Sequence, residues 1–148
     1  MIITETVYNA VKEWIITILG DIDVVPSLPS ESISNNRYVS LYLKEIIKSQ
    51  STGSRPVKHL IQLTLSYMIT VKSDNIHDAN NCIASLAVSA MTKENIELDL
   101  KGVSPSEWVA MGMTPCPVLF INLPLNCEIE PESGKIVEKP MIIKSYFK

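Results

Sequence analysis

The chain has 148 residues, 46% hydrophobic and 20% charged, a balance that excludes a disordered chain and fits one domain with one substantial core over residues 1–148. A net charge of -3 and a pI near 5.4 give no basic field to recruit nucleic acid, and scattered aromatics at 6% offer no base-stacking platform. No apolar run is long enough to span a bilayer, so no membrane partner is expected, and Glu5 with no basic region before it speaks against an export signal.

Ile3 to Leu19 is predicted as an amphipathic helix. Val7, Ala10, Val11, Trp14, Ile15 and Ile18 follow one helical face, and Gly20 stands where a left-handed C-cap belongs. The stretch from Asp21 to Arg37, rich in Pro, Ser and Asn, is predicted as an extended connector. Tyr38 to Lys48 returns to strand, and Ser49 to Pro56 reads as the polar tip of a long antiparallel hairpin. The returning arm is the organising strand. From His59 to Val71 the odd positions Ile61, Leu63, Leu65, Tyr67, Ile69 and Val71 are apolar, whereas Gln62, Thr64, Ser66 and Thr70 lie between them. This alternation predicts a strand covered on one side only.

Ser73, Asp74 or Asn75 can cap a helix over Ile76 to Met91, with Ile76, Ala79, Asn80, Ile83, Leu86, Ala87, Ala90 and Met91 on its inner side. Ile96, Leu98 and Leu100 alternate with Glu97 and Asp99 in a short strand with a wet face. Ser104-Pro105-Ser106-Glu107 carries the signature of a capping box, opening a short helix through Trp108 that stops at Gly112. Val118 to Leu123 reads as strand, with Pro124 marking an edge or an end. A turn near Glu130 to Gly134 and a strand from Ile136 to Phe147, interrupted by Pro140, complete the chain.

The sequence carries little that points to chemistry. His59 and His77 stand apart from any acid or thiol that would make a triad or a zinc site. Glu97 and Asp99 share a face without a third ligand, and a solvated face explains them better than a metal or an acid–base pair. The three cysteines, Cys82, Cys116 and Cys127, cannot all pair within the chain and read as reduced thiols in a cytosolic product. Cys116 between two prolines is the best thiol candidate, yet no base or helix N-terminus accompanies it. No glycine-rich phosphate loop and no paired-cysteine spacing is present. The expectation is therefore a protein that is not an enzyme and uses no cofactor or metal. Lys44, Lys48, Arg55 and Lys58 gather around the hairpin as a local positive rim.

Taken together, several features resemble the N-terminal domain of the cap, or tail-terminator, proteins of phage-tail-like contractile injection systems. They are the N-terminal helix, the hairpin, Pro56-Val57 leading into Leu63-Thr64-Leu65-Ser66-Tyr67-Met68-Ile69-Thr70, the helix start at Asp78-Ala79, the Trp108 segment and the strand from Pro117 to Leu123. The resemblance implies an α+β fold, an antiparallel sheet packed by an N-terminal and a middle helix. It implies a six-fold homo-oligomeric ring on the end of a tail tube, with tube and sheath proteins as partners. It also implies assembly in the bacterial cytoplasm as part of a phage or phage-tail-like particle. Longer family members continue beyond the point where this sequence stops. Rings join two different surfaces head to tail. The sheet edges and the hairpin tip are expected to supply them, with Lys48, Ser51, Thr52, Gly53, Arg55, Trp108, Pro140 and Tyr146 as contact residues. The competing expectation is a small-ligand or peptide-binding module with Gln62, Thr64, Ser66 and Thr70 lining a pocket. An enzyme using Cys116 ranks third.

Overall fold

The computed structural model describes residues 3–31, 33–48 and 60–128. In chain order the elements are α1 (Ile3–Leu19), β1 (Asp23–Val25), β2 (Tyr38–Lys48), β3 (Leu60–Lys72), α2 (Ile76–Met91), β4 (Glu97–Asp99), α3 (Pro105–Met111) and β5 (Val118–Glu128). The fold is α+β. The five strands make one sheet in the order β1-β2-β3-β5-β4, antiparallel at every junction except β1 with β2. Read from sequence, β1 lay inside the connector, and its three residues run parallel to Tyr38–Ser40 and make the sheet mixed.

The apolar alternation of β3 decides which sheet face is packed by helices. Leu65, Tyr67 and Ile69 pair across to Leu41, Leu43 and Ile46 of β2 and to Leu119, Ile121 and Leu123 of β5. Most of these join one buried cluster with Val7, Val11, Trp14 and Ile15 of α1 and Ile83, Leu86 and Ala90 of α2. The indole Nε1 of Trp14 donates to Ser89 Oγ at 3.0 Å, linking the two helices where both lie on the sheet. Gly20 closes α1 at φ 85, a left-handed conformation that residues with a Cβ rarely adopt, and its N–H reaches the Ile16 carbonyl at 2.8 Å. The inner side of α2 is narrower than its sequence predicts. Cys82 is buried there, whereas Ile76 and Met91, at opposite ends of the helix, are 67% and 62% exposed.

The other sheet face is also closed at its centre, contrary to the one-sided strand expected. Tyr38, Ser40, Ser66, Met68, Thr70 and Phe120 are all buried there. Small hydroxyls tolerate burial when their hydrogen bonds are met. Ser40 Oγ donates to the Ser27 carbonyl at 2.5 Å, bringing the proline-rich connector to this face, and Ser66 Oγ donates to Asn122 Oδ1 at 2.6 Å. Thr70 Oγ1 has no partner among the described residues.

Two irregularities shape the far end of the sheet. The register of β2 against β3 shifts between Leu43 and Glu45, so Lys44 is the extra residue of a β-bulge. A regular ladder would set Glu45 opposite Leu65 on the helix-packed face. The bulge instead sets Glu45 opposite Ser66 and returns Ile46 to the apolar side. β5, for its part, does not end at Pro124 but runs to Glu128. β4 reaches only Phe120 to Asn122, so Pro124 sits just past it, where a missing N–H costs no ladder bond on that side.

Candidate assembly surface

β2, β3 and β5 outrun the rest of the sheet. β1 covers only Tyr38–Ser40, and among the described residues no strand lies against the outer edge of β2, the side away from β3, from Leu41 to Lys48. The exposed end of β2 carries Ile46 at 52% and Ile47 at 44% exposure. Because successive residues of a strand point to opposite faces, these two isoleucines put exposed apolar side chains on both sides of the ribbon near the end of β2. Lys48 follows them, exposed, opposite Leu63. The bulge at Lys44 and the charge of Lys48 flank the pair and discourage indiscriminate strand addition at this edge.

The other expected contact residues divide in two. Trp108 sits on α3, which opens with the full capping box: Ser104 Oγ accepts from the Glu107 N–H at 3.2 Å, and Glu107 Oε1 accepts from the Ser104 N–H at 3.5 Å. Gly112 ends the helix at φ 66. The helix turns the Trp108 indole inward to 9% exposure, leaving it little surface for a partner, while its neighbour Val109 is 80% exposed. Ser51, Thr52, Gly53, Arg55, Pro140 and Tyr146 lie outside the described residues, as do the hairpin tip and the C-terminal turn and strand.

On the face away from the helices, the bulge borders a shallow, open depression of about 150 Å³ lined by Lys44, Glu45, Ser66, Asp99, Lys101 and Phe120 among others. Lys44 Nζ lies 4.9 Å and Lys101 Nζ 5.6 Å from the centroid of the Phe120 ring, both within cation–π range. Asp99 bends the chain after β4 by accepting from the Lys101 N–H at 3.1 Å and lies 3.5 Å from its ammonium. The polar residues proposed as pocket walls fare unevenly: Ser66 lines this depression, Thr70 is buried, and Gln62 is exposed. Lys101, Phe120 and Asn122 escaped the sequence reading, which placed Lys44 only in the positive rim of the hairpin, because the pairings of β5 with β3 and β4 bring them together.

A second polar cluster pins the start of β2 to α2. The Arg37 guanidinium meets Asp78 at 2.7 and 3.3 Å, and Ser73 Oγ donates to the same carboxylate at 2.9 Å. Chiefly through the Arg37 hydrogen bond, the Asp78 carboxyl is held below its ordinary range. Asn75 caps α2 by accepting from the His77 and Asp78 N–H groups. His77 is an exposed residue in the first turn of α2. Cys82 is buried beside Asp78, and loss of water pushes its thiol up. Cys116 is exposed, yet loss of water also raises its thiol, away from the range of an activated nucleophile.

Among the described residues no group of three His, Cys, Asp or Glu side chains is placed to hold a metal ion, and no helix is long and apolar enough to cross a membrane. No protein-family model matches the chain, and no curated protein is significantly similar to it.

Proposed function

We propose that the chain is a structural subunit of the tail-terminator kind, which closes the end of a phage-tail-like tube as a homo-oligomeric ring and contacts tube or sheath subunits. In this reading it assembles in the bacterial cytoplasm and ends as part of a particle. The observation that carries the proposal is the overrunning ribbon, with Ile46 and Ile47 exposed on its opposite sides beyond the reach of β1. Apolar side chains exposed on both sides of one strand suit insertion between neighbours better than they suit an isolated monomer. A ring needs two unlike surfaces per subunit, and a projecting arm with a separate sheet body provides them.

The test is the double substitution Ile46→Glu and Ile47→Glu, followed by light scattering alone and with purified tube. Both side chains are about half exposed, so the monomer should keep its fold within roughly 1 kcal/mol. Loss of assembly with an unchanged circular dichroism spectrum is the expected result. Wild-type assembly by the variant would remove the arm from the interface. The binding-module reading rests on the Phe120 depression, whose volume is below the roughly 300 Å³ where small-molecule sites begin. It has room for one side chain of a partner, not for a whole ligand.

A further inference from the structure

We infer that the depression over Phe120 is a socket for a carboxylate side chain presented by the protein that docks against this sheet; the inference rests on the assembly reading above and names one contact within it. The cations come from two strands. Lys44 of β2 shares the face of Tyr42 by strand alternation, and Lys101 follows β4, where its N–H donates to Asp99; both lie over one aromatic ring.

The charges near the socket are mixed, and their geometry decides what is left to offer. Asp99 partly neutralises Lys101, but at 3.5 Å it is longer than a tight charge-assisted hydrogen bond. Glu45 also lines the rim. Among the described residues, however, no carboxylate comes within ion-pairing distance of Lys44. Asn122, also in the lining, accepts the Ser66 hydroxyl at Oδ1 and carries donors on its amide nitrogen. Two ammoniums and an amide donor around a shallow hollow suit a carboxylate. Neither an arginine fork nor a helix N-terminus is among the lining residues, which disfavours phosphate as the intended anion.

The competing explanation is that the lysine stems merely cover Phe120, which is 4% exposed. Methionine separates the two, because it keeps an apolar stem and removes the charge. The ¹⁵N-labelled full chain is titrated at low salt with acetyl-Glu-Glu-Glu-amide, and in parallel with acetyl-Lys-Lys-Lys-amide, inorganic phosphate and a short single-stranded DNA. The expected result is saturable shifts centred on the amides of Lys44, Lys101, Phe120 and Asn122 with the acidic peptide, weakened about tenfold in Lys44→Met/Lys101→Met. Diffuse or absent shifts, or equal binding by the double variant, overturn the socket. Tighter binding of phosphate or DNA than of the peptide overturns its assignment to a carboxylate. Native mass measured on the same samples keeps the two ideas apart. A ring without peptide binding removes only the socket, and peptide binding by a chain that never assembles removes only the ring.

Discussion

Tyr67 shows what burial does to a single group in this sheet. It is 1% exposed on the helix-packed face, and desolvation, with a smaller push from Tyr8, raises its phenol to about 12. The folded state therefore holds on to a proton that the unfolded chain gives up near the ordinary tyrosine value of about 10. Between those values the native state binds more protons, so stability falls as pH rises. The stabilisation is intact below about pH 10 and is lost through about 12. Thermal melts across that range should show a steep alkaline decline that Tyr67→Phe flattens. An unchanged decline in the variant would place its origin elsewhere. The Arg37–Asp78 pair works in the opposite direction. Its lowered carboxyl contributes above the ordinary Asp range and loses that contribution as pH falls into acid.

At the scale of elements, α3 depends most visibly on local chemistry. Seven residues form too short a helix to stand on propensity alone, so its ends must be satisfied by the Ser104 box and by Gly112. Ser104→Ala should cost about 1 kcal/mol in urea unfolding and should expose Trp108 to solvent, seen as a red shift of tryptophan emission. A variant as stable as the wild type would show that tertiary packing alone holds the helix. Elements of this kind were legible in the sequence because their signals are local: the Gly20 stop of α1, the cap of α2, the box of α3 and the alternation of β3. What escaped depends on partners distant in sequence. β1 is three residues within a proline-rich connector and becomes a strand only because β2 offers it an edge. The Lys44 bulge leaves no mark of its own, since it is defined by which residue of β3 faces Glu45. Pro124 left edge and end equally open, because sequence alone does not reveal that β4 reaches only Asn122 and leaves that side of Pro124 without a β4 partner. The buried Ser66 and Thr70 read as wet, because polarity reports a hydroxyl but not the Asn122 amide that satisfies Ser66. The socket was hidden for the same reason, as its residues come from β2, β3, β5 and the turn after β4.

For the whole molecule, the consequential feature is the division between a helix-backed body and a ribbon that continues past it. The body has its apolar face covered by α1 and α2 and its second face closed at the centre. Near the end of β2 the ribbon exposes two isoleucines, and a monomer gains nothing by keeping them in water. Native mass spectrometry of the full chain over a wide concentration range, alone and with purified tail tube, tests this most directly. Assembly as a structural ring predicts one closed oligomer of fixed copy number, formed alone or on the tube. A chain that stays monomeric at every concentration, and also in the presence of the tube, would contradict it.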